Sequence, residues 1–213
     1  MKHNGFEYVD LGLPSGTKWA RCNVGADKET DCGLYFSWGE TEGYDSIINT
    51  KQFSLKYYKF SYHYSNSAFT KYNETDGKTV LDLEDDAAYV NMGGRWHMPS
   101  KEQIKELIAN TEATWVIDYN GSGASGKLLT SNINGNNLFL PACGYLFNES
   151  HIMINIFGRF WSNSISHSNI EKSFYLSFDS STTYVCDGFR YMGRCVRGVF
   201  NTFWIYMSSD LFR

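Results

Sequence analysis

Hydrophobic and polar positions divide the chain into three regimes. From 5 to 40, short apolar bursts at 8–13, 18–22 and 34–38 are separated by turn residues such as Pro14, Ser15 and Gly16, which predicts short strands and tight loops. From 41 to 80, Tyr, Lys, Ser and Asn dominate with no period of 3.6 or 2, and this stretch reads as a loop-rich, partly ordered insertion. The helical signal lies between 82 and 110. Asp82 is placed to cap a short helix carrying Leu83, Ala87 and Val90, which Gly93 and Gly94 end. After Pro99, Ser100 and Gln103 form a capping-box pattern, and Ile104, Leu107 and Ile108 follow at helical spacing, so the helices are expected over 82–92 and 100–110. From 114 onward the pattern is one of strands, at 114–119, 127–130, 137–140, 173–178 and 194–200. In 173–178, Phe174, Leu176 and Phe178 alternate with Tyr175 and Ser177, as a half-buried strand requires. Without an internal repeat or a linker, 1–213 is expected to form one α+β domain, mostly antiparallel sheet with two short helices and long loops.

Composition narrows the function classes. With 42% hydrophobic and 17% aromatic residues in 213, the chain is built to fold around a core. A formal charge of −4 argues against a general grip on nucleic-acid phosphates or anionic lipid, so nucleic acid is not an expected partner. The most apolar stretch, 152–161, is short and broken by Asn155, Gly158 and Arg159, so membrane insertion is not expected either. The opening residues lack the apolar region of a secretory signal, which leads to the expectation of a chain retained or assembled in the cytoplasm, or processed beforehand.

Chemistry-bearing motifs give little. The run 121–127 matches the first seven positions of a phosphate-binding loop, but Leu128 stands where Ser or Thr is needed. Residues 128–140 read as a β-hairpin turning at Asn134 and Gly135, not as the helix such a loop requires. Asp82, Glu84, Asp85 and Asp86 lack the spacing of a calcium loop and are read as a solvated face at a helix start. The five histidines show no zinc-binding spacing. Among Cys22, Cys32, Cys143, Cys186 and Cys195 there is no CxxC; buried free thiols are one reading and a Cys186–Cys195 disulfide the other. Neither a metal nor a cofactor is expected. Trp19, Trp38, Trp96 and Trp161, set beside glycines and prolines, read as core plugs.

Six segments in one order carry a family resemblance: YVDLGLPSGTKWARCNVGA at 8–26, GLYFSWGE at 33–40, LEDDAAYVNMGGRWHMPSKEQIKEL at 83–107, NNLFLPACGY at 136–145, FWSNS at 160–164 and GRCVRGV at 193–199. Together they resemble the Fibrobacter-type major paralogous domain, a branch of the C-type-lectin-like folds related to formylglycine-generating enzyme. The resemblance implies a C-type-lectin-like fold over about 5–200. It departs at His97, where the family commonly has arginine, which marks His97 as a polar site residue or a hydrogen-bonded structural one. An oxidase of the related type would need a tight cysteine pair, and between Cys186 and Cys195 eight residues intervene. The calcium–sugar signatures Glu-Pro-Asn and Gln-Pro-Asp are absent from the sequence, and the expectation is a non-enzymatic protein.

A binding surface remains. The segment 162–194 interleaves Ser, Asn and His with Tyr, Phe and Arg, a mixture suited to adaptable recognition, and in related domains the matching region is often diversified by retroelements. The candidate ligand residues are Ser164, Ser166, His167 and Asn169 on one loop, and Tyr184, Asp187, Phe189, Arg190 and Tyr191 on the other. Alternation after a turn at Asp187 and Gly188 sets Arg190 opposite Phe189 and Tyr191, as an exposed anchor. The competing reading is an ordinary polar hairpin. The tail 200–213 opens with an apolar run at 200–207 that needs a cover, on its own domain or on a neighbour. The expected function is therefore recognition of a protein or glycan surface ligand by a virion-associated fibre or decoration protein. Other virion proteins or a second copy would meet the tail. A bacterial surface or secreted adhesion protein is the alternative.

Overall fold

The computed structural model describes residues 1–45, 51–62 and 69–202. The chain starts with β1 (Lys2–His3), β2 (Phe6–Asp10), β3 (Thr17–Ala20) and β4 (Tyr35–Phe36). The helices α1 (Ala87–Met92) and α2 (Lys101–Ala109) come next, and then β5 (Thr111–Val116), β6 (Gly126–Ser131), β7 (Asn137–Pro141), β8 (Tyr145–Phe147) and β9 (Ser150–Ile152). The last strands are β10 (Gly158–Ile165), β11 (Lys172–Phe178), β12 (Thr183–Phe189), β13 (Arg194–Cys195) and β14 (Val199–Asn201). The fold is α+β, mostly antiparallel sheet with two short helices among the described residues.

A four-stranded sheet in the order β1-β2-β3-β14 brings the ends of the described chain together, and β5-β6-β7 and β8-β9 form two smaller sheets. The largest sheet, β12-β11-β10-β13-β4, carries one parallel pair, β10 with β13, where Phe160 faces Cys195. Two apolar clusters flank it. Leu176, Phe178, Phe160 and Cys195 belong to the cluster containing Ile104 and Leu107 of α2; Trp161, Tyr175 and Phe36 belong to the cluster with Trp38 and Trp96. The four tryptophans expected in the core are at most 1% exposed. β11 lies inside the sheet with apolar clusters on both sides, so Tyr175 and Ser177 are as buried as Leu176 and Phe178, and the half-buried alternation is not found.

Local signals set the helices. Ser100 Oγ accepts the Gln103 N–H at 3.1 Å and Gln103 Oε1 accepts the Ser100 N–H at 2.9 Å, so both arms of the capping box close on α2. The first helix begins later than 82. A single 3-10 turn occupies Leu83–Asp85, and the cap of α1 is Asp86, whose Oδ1 accepts the Tyr89 N–H at 2.9 Å. Asp86 also accepts the Met98 N–H, at 2.8 Å through Oδ2, so one buried carboxylate joins the start of α1 to the strand-like segment before α2. The 121–127 run behaves as its mismatch predicts: Lys127 is buried within β6, and β6 and β7 make a hairpin at Asn134–Gly135, with Gly135 at φ 76°.

The described parts of 41–80 are loop-rich, and Phe53, Tyr58, Phe60, Phe69 and Tyr72 within them are all buried and enter the two clusters. One expectation needs correction. The cysteines are not all free: Cys32 and Cys143 are disulfide-bonded, with Cα atoms 5.4 Å apart. Cys186 and Cys195 are not paired, because Cys186 registers with Tyr175 and Cys195 with Phe160, which puts them on opposite faces of the sheet. Of the tail, Phe200 is buried in β14 against His3 and Trp96; the rest of 203–213 lies outside the described residues.

Candidate functional site

Strand alternation sorts the side chains of the largest sheet. Register places Arg159 opposite Ser177 and Trp161 opposite Tyr175, while on the next strand Ser177 faces Tyr184 and Tyr175 faces Cys186. Arg194 of β13 lies over Trp161 and Tyr175, at 3.9 and 4.0 Å, which fixes it on the same face. β8 packs alongside. Its Leu146 points into the core and bridges Gly193, so Tyr145 and Phe147, one residue to either side, turn outward together.

The result is a strip of half-buried rings and cations. Phe189 and Tyr191 stack at 5.3 Å, and Phe147 lies 6.4 Å from Tyr191. Next to Phe147, Tyr145 carries the Arg159 guanidinium 4.1 Å above its ring, and Phe157 and Tyr175 flank the same guanidinium at 5.4 and 5.8 Å. At the other end, Lys172 Nζ stands 5.7 Å from the Phe189 ring. Aromatic area with few rotamers beside guanidinium groups is the chemistry of a contact surface.

The cations of this region are not equivalent. Arg197 is fully buried and well met: Nε donates to Asn23 Oδ1 at 2.8 Å, and the Nη groups donate to the carbonyls of Ala20, Arg21 and Phe139. Arg194 is as deeply buried but donates at longer range, to Phe189 O at 3.4 Å and Met192 Sδ at 3.5 Å, with Nε unpartnered. Burial holds its pKa down at about 10, and the Arg159 charge pushes it the same way. Arg159 makes no hydrogen bond or ion pair among the described residues, and its Nε is buried without a partner.

The residues expected at the site divide between two places and the core. Ser166 is buried, its Oγ donating to Asp187 Oδ2 at 2.7 Å, and Asp187 lies 3.5 Å from Lys172 Nζ, a polar link between loop and strand. Ser164 Oγ accepts the Lys101 N–H at 3.1 Å, and Asn169 Oδ1 accepts the Glu171 N–H at 2.8 Å, so both shape the loop that exposes His167. Tyr184 is 47% exposed but registers with Ser177, near the opposite end of β12 from Asp187. Phe189 and Tyr191 belong to the strip. Arg190 does not. It is fully buried, 3.9 Å from the Phe69 ring centroid, and donates to Tyr72 O at 2.8 Å, because β12 ends at Phe189 and the chain turns inward there instead of continuing the alternation. Tyr145, Phe147, Phe157 and Arg159 were not among the expected residues. The i, i+2 pair of rings at Tyr145 and Phe147, and an arginine interrupting an apolar run at 159, were the signals available in the sequence.

Comparison with protein-family models, curated proteins and solved structures finds no match.

Other clusters are internally matched. Asp82, Glu84 and Asp85 bring ligand atoms within 4.8 Å of one another, yet Lys71 Nζ sits 2.6–2.8 Å from all three, so an ammonium fills the position a cation would take. Asp85 and Asp86 are buried, which corrects the reading of this run as a solvated face. His97 is structural: its Nδ1 lies 2.9 Å from Met98 O and its backbone pairs with Val199. A cleft of about 1040 Å³ is lined in part by Glu40, Lys51, Lys59 and Glu149, but Glu40 pairs with Lys51 and accepts the Lys59 N–H, while Glu149 accepts from Gln52. No helix among the described residues is long and apolar enough to cross a membrane.

Proposed function

We propose that the protein is a non-enzymatic recognition module that binds a surface ligand through the strip from Phe189 to Arg159. The observation that carries this reading is the row of half-buried rings ending on a guanidinium with no acceptor of its own. A scaffold protein with no such task would be expected to cover those rings or pair that charge. The resemblance to C-type-lectin-like domains supports the same reading and suggests a virion-associated fibre or decoration protein. The Cys32–Cys143 disulfide suits a virion or cell surface, and it equally favours the second reading, a secreted or surface-attached adhesion protein.

Attachment to a panel of bacterial cell-envelope preparations tests the proposal. Phe147→Ala and Tyr191→Ala should each weaken attachment by about tenfold or more, the effect expected of truncating a central aromatic anchor. Thermal unfolding of Phe147→Ala should stay close to that of the unaltered protein. Attachment that survives both substitutions would refute the assignment.

A further inference from the structure

A guanidinium drawn into a protein normally has a carboxylate or a set of carbonyls to receive its buried N–H groups, and Arg197 shows the second solution in full. Arg159 has neither. Three rings surround its charge, a partial compensation that leaves its buried Nε–H unmet while the half-buried side chain stays open to a ligand. Arg194, close enough for its proton affinity to feel the Arg159 charge, adds a second cation, and no Asp or Glu among the described residues pairs with either. In a chain with a formal charge of −4, two guanidinium groups without a carboxylate partner lie together beside the strip of rings.

We propose that Arg159 is the anion-binding centre of this strip and that the ligand is an acidic glycan, whose carboxylate or sulfate group meets the guanidinium while adjoining sugar rings stack along Tyr145 and Phe147. The proposal rests on the strip being the binding surface. A glycan is favoured over an acidic peptide because the rings come from three segments, β8, the residue before β10 and the end of β12 with the turn after it, and not from one strand. An extended peptide would instead look for the unpaired backbone groups of one strand edge.

The test uses the full chain against immobilised oligosaccharides that share one backbone and are neutral, uronate-bearing or sulfated, with an acidic peptide as a fourth arm. The neutral sugar should be passed over and the uronate or the sulfated form retained, with retention weakening as salt rises. Arg159→Gln should reduce retention about tenfold or more, the loss expected for a charge-assisted hydrogen bond, and Arg159→Lys should restore part of it. The two charged arms identify the anion. Equal retention of neutral and charged sugars, retention of the peptide alone, or no retention at all would overturn the proposal, whatever the folding of the variants. If Phe147→Ala abolishes envelope attachment while Arg159→Gln leaves it intact, the binding strip stands and the anion assignment fails. If neither substitution matters, the strip itself is wrong.

Discussion

Arg194 and Arg197 are enclosed to the same degree, and they differ in what their N–H groups meet. Arg197 satisfies one side-chain amide and three carbonyl oxygens, whereas Arg194 has two long contacts and stacked rings. Replacing a poorly matched buried charge by an apolar group of similar length is often close to neutral, while removing a well-matched donor strands its acceptors. Arg197→Met should therefore cost about 3 kcal/mol or more of unfolding free energy, and Arg194→Met about 1 kcal/mol or less in either direction. Chemical denaturation of both variants checks the contrast, and equal losses would contradict it. Arginine in a sequence reads as surface, so neither of these nor Arg190 was legible as core. What buries them is a set of partners, such as Phe69 and Tyr72 for Arg190, more than a hundred residues away.

At the scale of elements, the helix around 100–110 was legible because its start is written locally in Ser100 and Gln103. Ser100→Ala should cost about 1 kcal/mol, measured by denaturation, because one helix N–H loses its acceptor. The hairpin of β11 and β12 has an equally local device. Asp179 Oδ1 accepts the N–H groups of Ser181 and Thr182, both at 2.7 Å, and the Ser181 bond foremost lowers the Asp179 pKa to about 2. Its folded pKa lies below the ordinary 3.8, so its stabilisation is complete above that value and is lost as pH falls toward about 2. Asp82, held low by Lys71 and Lys78, acts with the same sign, whereas Asp86, raised by burial, acts with the opposite one. Asp179→Asn should flatten the loss of stability between these pH values, as followed by thermal melts across the acid range. An unchanged slope would show that the turn does not depend on the carboxylate.

Across the whole molecule, the two clusters are held by contacts that no local pattern announces. The disulfide closes a span of 111 residues between Cys32 and Cys143, and Phe53, Tyr58, Phe60, Phe69 and Tyr72 enter the core without any period. Replacing both cysteines by Ala should lower stability by about 2–5 kcal/mol, as read by denaturant unfolding, because so long a loop is no longer closed in the unfolded chain. The strip was partly legible for a related reason. Phe189 and Tyr191 lie in the segment whose composition suggested recognition, but Tyr145, Phe147 and Arg159 join them only when β8 is laid beside β10. The central claim is that this strip is the contact surface, and hydroxyl-radical footprinting of the intact protein on a cell envelope it binds tests it most directly. The account predicts protection of Tyr145, Phe147 and Tyr191 with little change at the exposed Tyr57 and Ile154. Protection confined to Tyr57 or Ile154, with the strip as reactive as in the free protein, would contradict it.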